Sequence, residues 1–101
     1  MDSQELNKLP ESIGNLKSLF VLTLKSNIIS ELPESIGKLD NLIDLVLDDN
    51  KLSDLPHTIR NLTSLEFFSL SENELTNVPL SICQMYSLKH LILTLVLKDF
   101  L

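Results

Sequence analysis

The stretch LDNLIDLVLDDNKLSDLPHTI, at residues 39–59, decides the fold, because its landmarks recur at a fixed distance along the chain. Its Leu-Pro pair, Leu55-Pro56, returns as Leu9-Pro10, Leu32-Pro33 and Val78-Pro79, and each step is 23 residues. We call residues related by this step a column. Apolar columns also run through Ile59, Leu39, Leu42, Leu45 and Leu47. A fixed period of this size indicates a repeat architecture whose units stack on one another.

The spacing inside each copy predicts a short strand. The apolar residues Leu39, Leu42, Leu45 and Leu47 are separated by 3, 3 and 2 residues. A change of period from three to two indicates that an extended segment begins there. A bundle of amphipathic helices is the alternative, since part of one copy reads at helical spacing, but the shared spacing and a Pro in every copy argue against it.

Composition and charge exclude several classes of protein. The chain has 101 residues, which is at most one domain, and its net charge of -6 disfavours nucleic acid and anionic membranes as partners. The longest apolar run, residues 91–97, is too short to insert into a membrane. A single cysteine, Cys83, and an amino terminus without a signal-peptide pattern favour a reducing, cytoplasmic setting.

Three segments carry a family resemblance. They are LKSLFVLTLKSNIISELPESIG (16–37), LDNLIDLVLDDNKLSDLPHTIR (39–60) and LTSLEFFSLSENELTNVPLSIC (62–83). They resemble leucine-rich repeats of the pattern LxxLxxLxLxxNxLxxLPxxI. Their length and their LPxxI half are similar to the intracellular Ras-related and Scribble- or Erbin-type scaffold repeats. The resemblance implies an α/β fold: a short, curved solenoid with about four parallel strands on its concave face and loops or short helical turns on its convex face.

The repeat boundaries predict one leucine-rich repeat domain over residues 1–101. The copies are a partial one at about 4–15, then 16–38, 39–61, 62–84, and a degenerate one at 85–101. The first copy has only its return half, and the register is lost after Leu93. Since solenoids need polar capping units, we expect a fragment or a short isoform of a longer array.

A polar column accompanies the apolar ones. Asn27, Asn50 and Asn73 each follow a predicted strand, where the chain must turn. An Asn side chain at a turn can pair with backbone groups that otherwise lack partners. We therefore interpret these residues as a structural asparagine ladder and not as ligand-binding groups.

The outward positions of the strands vary from copy to copy, which favours a role in binding. Repeat proteins usually bind partners on the surface that such positions form. The candidate protein-binding residues are Val21, Thr23, Lys25, Asp44, Val46, Asp48, Phe67, Ser69, Ser71, His90 and Ile92. Phe67 among these carboxylates resembles the apolar anchor and polar rim of a protein interface.

No catalytic, cofactor or metal site is predicted. Cys83, His57 and His90 fall in different columns, so a Cys-His pair is not expected, and the acidic residues do not form a loop of dense oxygen ligands. Asn61 begins a glycosylation sequon, which matters only in a secreted chain.

These observations predict a non-enzymatic protein-interaction module in intracellular signalling or scaffolding. The expected partner is a protein with a basic patch, or by family resemblance a small GTPase. Two alternatives stay open: a substrate-recognition fragment of a larger kinase or ubiquitin ligase, or a truncated product without a function of its own. The β-prone, uncharged run at 91–97 also predicts self-association.

Overall fold

Four strands alternate with four short helices along the described part of the chain, which in this computed structural model is residues 1–96. The strands are β1 (Val21–Thr23), β2 (Asp44–Val46), β3 (Phe67–Leu70) and β4 (His90–Leu93). The helices are of the 3₁₀ type, and we number them in chain order: Glu11–Asn15, Glu34–Lys38, His57–Asn61 and Leu80–Gln84.

The strands form one open parallel sheet in the order β1-β2-β3-β4. Val21 pairs with Asp44, Asp44 with Phe67, and Phe67 with His90, so the register follows the 23-residue columns throughout. This confirms the predicted leucine-rich repeat solenoid with parallel strands. Consecutive parallel strands need a crossover connection, and here the 3₁₀ helix with its flanking loops supplies it.

The core is a stack of aliphatic layers between the sheet and the 3₁₀ helices. Leu45 in β2 and Leu47 directly after it alternate with outward residues and are inaccessible to solvent, as are Leu39 and Leu42 before the strand. Phe68 takes the place of Leu in β3 and is equally buried. The inner repeats therefore bury their apolar faces against both neighbours, which is how a solenoid replaces a globular core.

A proline precedes every 3₁₀ helix and positions it. These residues have φ angles between -72° and -60°, which the proline ring favours, and each accepts the first backbone hydrogen bond of the turn through its carbonyl oxygen. Each helix ends after five residues, as expected for the 3₁₀ type, whose hydrogen-bond geometry does not support long runs. The residues concerned are Pro10, Pro33, Pro56 and Pro79.

The glycine column is not uniform in its packing. A Cβ added to Gly37 would lie 2.5 Å from the carbonyl oxygen of Thr58, and one added to Gly14 would lie 2.7 Å from that of Ser35. Glycine is therefore required for the close approach of the first three 3₁₀ helices. Arg60 occupies the same column in the third helix, and a cleft of about 450 Å³ lies between the third and fourth helices beside it.

A column of residues with positive φ angles lies where each strand turns into the return half of its repeat. Ser3, Ser26, Asp49 and Glu72 are spaced by 23 residues and have φ angles of 56° to 60°. This left-handed conformation is uncommon for residues other than Gly and Asn. It turns the chain sharply, so that the next residue in three of the four repeats, the ladder asparagine, points into the core.

The two ends of the described solenoid differ in what covers them. Residues 1–6 lie along the first complete repeat, residues 16–38. The backbone N–H of Ser3 donates to the Lys25 carbonyl, and that of Ile28 donates to the Leu6 carbonyl. At the other end Leu91 is 39% exposed, although its column is buried in the earlier strands. The segment predicted to self-associate is described up to Val96, and its last residue, Leu97, lies outside the described residues.

Within residues 1–96, no helix has the length and apolar character needed to cross a membrane.

Candidate functional site

The surface of interest is the strand face, which we define as the outward positions of β1–β4 with the outward residues one position before and up to three positions after each strand. The structure distributes the predicted binding residues over this face unequally. Val21, Lys25, His90 and Ile92 are exposed. Six others are half-buried: Thr23, Asp44, Val46, Asp48, Phe67 and Ser71.

Ser69 is the exception, because its side chain is not available to a partner. It is only 3% exposed, and its hydroxyl donates a 2.6 Å hydrogen bond to Oδ1 of Asp48. Ser69, although one of the predicted binding residues, therefore offers almost no side-chain surface to a partner. A small side chain between two longer neighbouring columns is covered by them, and its hydroxyl supports the Asp48 carboxylate.

Exposed apolar side chains gather at the amino-terminal edge of the strand face. Phe20 and Ile43 directly precede β1 and β2, and they are 59% and 36% exposed. Their backbones are hydrogen-bonded to each other through the Ile43 N–H and the Phe20 carbonyl. Val21 adds a third exposed apolar side chain beside them. We call Phe20, Val21, Ile43, Val46 and Phe67 the apolar lane.

The column that contains Phe20 and Ile43 was missed by the strand-based counting of outward positions. That counting started from the inward Leu residues and stopped at the strand ends. In later repeats the column continues as Glu66 and Lys89, whose side chains form an ion pair at 3.6 Å. This pair shows that side chains of the column meet across neighbouring repeats. The 23-residue register is the sequence signal that identifies this column, because it places Phe20 and Ile43 at equivalent positions of successive repeats.

Carboxylates gather at the opposite, carboxyl-terminal edge of the strands. Asp48 is held in place, because its Oδ1 accepts hydrogen bonds from the Ser69 hydroxyl and from the Ser71 backbone N–H. Asp49 and Glu72 follow in the left-handed turn column, and both are exposed. We call Asp48, Asp49 and Glu72 the acidic edge.

An aromatic pair connects β3 with β4 on the same face. The rings of Phe67 and His90 lie 6.4 Å apart, centroid to centroid, at an interplanar angle of 50°. This contact explains why Phe67 is half-buried and not fully exposed. Phe67 is thus a supported side chain in the lane, which lowers the entropy that it would lose on binding a partner.

Below the acidic edge, the three asparagines link neighbouring repeats. Nδ2 of Asn50 donates to the Leu24 and Leu47 carbonyls, at 2.8 and 2.9 Å, and its Oδ1 accepts from the Ile29 N–H. Asn73 makes the equivalent contacts one repeat later. Asn27 accepts from the N–H groups of Gln4 and Leu6 at the first repeat. All three side chains are buried and fully engaged, so they fix the base of the strand face.

The one cysteine and the two histidines of the chain lie on different elements of the structure. Among residues 1–96, no group of three or more His, Cys, Asp or Glu side chains is arranged to hold a metal ion. Cys83 is exposed on the fourth 3₁₀ helix and His90 lies on the strand face, in line with their different columns. The surface clefts lie among the 3₁₀ helices and loops, and the one of about 450 Å³ contains Arg60, Met85 and Tyr86.

Comparisons with known proteins agree on the fold. The family model for a leucine-rich repeat region matches residues 1–95. A leucine-rich repeat protein of Leptospira interrogans is similar over 89% of this chain, with 40% identity and a TM-score of 0.84. An internalin of Listeria monocytogenes, inlF, is similar over 87% of the chain, with 21% identity and a TM-score of 0.62. No curated protein gives a significant match.

The two solved structures are much longer than this chain, which spans 23% of the first and 32% of the second. Both are bacterial proteins, so they do not test the predicted similarity to Ras-related and Scribble-type repeats.

Proposed function

Because the chain belongs to the leucine-rich repeat family, we propose that it is a non-enzymatic protein-interaction module that binds its partner on the strand face. Leucine-rich repeat domains are commonly interaction modules, and their stacked strands supply an extended binding surface. The geometry favours the strand face over the helical side because it brings apolar side chains from three successive repeats together.

The observation that carries the proposal is the apolar lane. Phe20, Val21 and Ile43 are exposed at neighbouring positions of β1 and β2. The supported Phe67 continues the lane on β3, and Asp44 lies between Val21 and Phe67 in their column. Isolated exposed apolar residues are ordinary, whereas a contiguous group bordered by charge is typical of an interaction site. None of these side chains is needed to fill the core, which consists of the inward columns.

We test the proposal by affinity capture with matched pairs of substitutions. Phe20→Ser with Ile43→Ser removes an aromatic and an aliphatic side chain from the strand face. Tyr86→Ser with Leu80→Ser removes the same kinds of side chain from the helical side, where both are more exposed. We expect the first double variant to lose a captured protein by about tenfold or more, because interface energy is concentrated in few anchors, while the second retains it.

Circular dichroism and thermal melting of both double variants would show that the fold is kept. Loss of the captured protein from the Tyr86/Leu80 variant but not from the Phe20/Ile43 variant would move the site to the helical side and contradict the proposal.

The setting and the class of partner are further parts of the proposal. We place the binding in intracellular scaffolding or signalling in the cytoplasm, with support from the lone, exposed thiol of Cys83. The strand face itself calls for a protein with apolar and basic side chains. It does not distinguish a small GTPase from other such proteins, so that partner is supported by the family resemblance alone.

A further inference from the structure

The strand face carries two different surfaces separated by a definite distance. The apolar lane begins in the column of Ile43, and the acidic edge begins in the column of Asp48, five residues further along the same extended segment. At about 3.3 Å per residue these two columns lie about 16 Å apart. Both surfaces run across the strands, since each is built from equivalent positions of successive repeats.

The unpaired charge on this face is mainly negative. Of its lysines, Lys89 is paired with Glu66, and Lys25 lies beside β1 at one corner of the face. The exposed carboxylates of Asp49 and Glu72, after β2 and β3, form no ion pair among the described residues. A partner therefore needs apolar side chains over the lane and cationic side chains over β2 and β3.

An extended peptide matches this arrangement poorly. Its side chains alternate between opposite faces, so a strand that lies across the sheet presents a single row of side chains to it. One row can contact the apolar lane or the acidic edge, but not both. A segment that runs along one strand would meet both surfaces only once.

A helix matches both surfaces at the same time. With its side chains a helix is about 10–12 Å across, and an amphipathic helix has an apolar stripe flanked by polar residues. Lying over Val46, between the Ile43 column and the Asp48 column, it places its stripe on the lane while flanking Lys or Arg side chains reach the carboxylates. Four strands at about 4.8 Å spacing give the face a width of about 14 Å, which equals about ten helical residues.

From this match we infer that the strand face binds an amphipathic helix of a partner protein, laid across the strands with its apolar stripe on Phe20, Ile43 and Phe67 and a basic flank toward Asp49 and Glu72. This inference rests on the proposed function and adds the conformation and the chemistry of the bound segment. The helix covers β1–β3 and contacts His90 at its end.

The test uses three synthetic peptides of about 14 residues and the full chain. The first peptide is a stabilised helix with Leu at i, i+3, i+4 and i+7 and Lys along one flank. The second has the same composition in an order that forms no apolar stripe. The third is the first peptide with a central Pro, which prevents the helix. Binding is measured by fluorescence anisotropy, and helix formation by circular dichroism.

We expect the stripe peptide to bind about tenfold more tightly than either of the other two, and to bind more weakly as salt rises. Charge reversal by Asp49→Lys with Glu72→Lys should weaken it about tenfold. Glu11→Lys with Glu31→Lys changes the net charge equally at exposed carboxylates away from the strand face, and it should change the affinity less than twofold.

If the reordered peptide or the Pro peptide bound as tightly as the stripe peptide, the inference that the strand face binds an amphipathic helix would be wrong. Equal effects of the two charge reversals would also contradict it. The proposed function is judged separately: if the Phe20/Ile43 variant still loses its captured protein, binding on the strand face stands without the helix. If that variant also retains its partner, both fail.

Discussion

At the scale of single residues, one side chain can satisfy backbone groups from two repeats. Asn50 is 3% exposed and hydrogen-bonds four backbone groups, two of them in the preceding repeat. The Ile29 N–H depends on Asn50 alone for its hydrogen bond. The Leu24 and Leu47 carbonyls each accept a second hydrogen bond from a ladder asparagine, Asn27 and Asn73 respectively.

Asn50→Ala should therefore destabilise the chain by about 1–3 kcal/mol, since it leaves the buried Ile29 N–H unpaired and removes the hydrogen bonds that join the two repeats. Urea denaturation measures the change. Asn77→Ala is the control, because the Asn77 side chain is exposed and bonds only to its neighbour Thr76. Its effect should stay within about 0.5 kcal/mol. Equal urea midpoints for the two variants would contradict the structural role proposed for the asparagine ladder.

The left-handed turn column predicts a stabilising substitution. Glu72 has a φ of 58°, a conformation that costs a residue with a Cβ about 1–2 kcal/mol. Glycine avoids this cost but loses more conformational entropy on folding. The balance for Glu72→Gly is a gain of about 0.5–1 kcal/mol.

Glu74→Gly is the matched control, because Glu74 is also exposed but has no left-handed backbone. It should lower the free energy of unfolding by about 0.5–1 kcal/mol. Thermal melts of the two variants should thus shift in opposite directions, and a shift in the same direction would contradict the strain argument.

At the scale of elements, the spacing between 3₁₀ helices depends on one column. Gly14 and Gly37 let the first three helices approach so closely that a Cβ would overlap a neighbouring carbonyl oxygen. Arg60 holds the third position of the column, next to the cleft that separates the third and fourth helices. The close approach at the first two positions of the column thus depends on glycine, whereas the third position carries a long side chain.

Gly37→Ala should destabilise the chain by about 1–3 kcal/mol, because the new Cβ would lie 2.5 Å from backbone that cannot move freely. Arg60→Ala tests the same column where a side chain is already accommodated. Arg60 is exposed and makes one 3.3 Å hydrogen bond to Gln84, so its loss should change stability by no more than about 0.5 kcal/mol. Chemical denaturation that ranked Arg60→Ala as the more damaging change would refute this account.

At the scale of the whole molecule, the importance of a core residue depends on its place in the array. Leu45 and Leu91 belong to one column, yet Leu45 is inaccessible and Leu91 is 39% exposed. The difference arises because Leu45 is packed between repeats on both sides. An array of nearest-neighbour interfaces loses most when an inner layer is damaged.

Leu45→Ala should cost about 2–5 kcal/mol through lost burial and a residual cavity, and in so short an array the loss should lower the denaturant midpoint of the entire chain. Leu91→Ala should cost about 1–2 kcal/mol, because about two fifths of that residue is already exposed to water and its truncation leaves no enclosed cavity. Denaturant midpoints give the comparison, with the outward Asp44→Ala as a surface control. Similar midpoints for Leu45→Ala and Asp44→Ala would mean that the faces of β2 are assigned wrongly.

The sequence by itself determined the repeat length, the strands and the inward columns. A 23-residue period imposes the same environment on Leu22, Leu45 and Phe68, so repetition amplifies a weak local signal until it fixes the register of the sheet. The ladder asparagines were readable for the same reason.

Only the tertiary structure decided which outward residues a partner can reach. Exposure depends on the neighbours in adjacent repeats: Asp48 covers Ser69, the His90 ring shields Phe67, and Phe20 and Ile43 stand open at the edge before their strands. The close approach at Gly37 was hidden for a similar reason, since it depends on the Thr58 backbone one repeat away. A one-dimensional period states which residues are equivalent, whereas accessibility is set by contacts between side chains that differ from repeat to repeat.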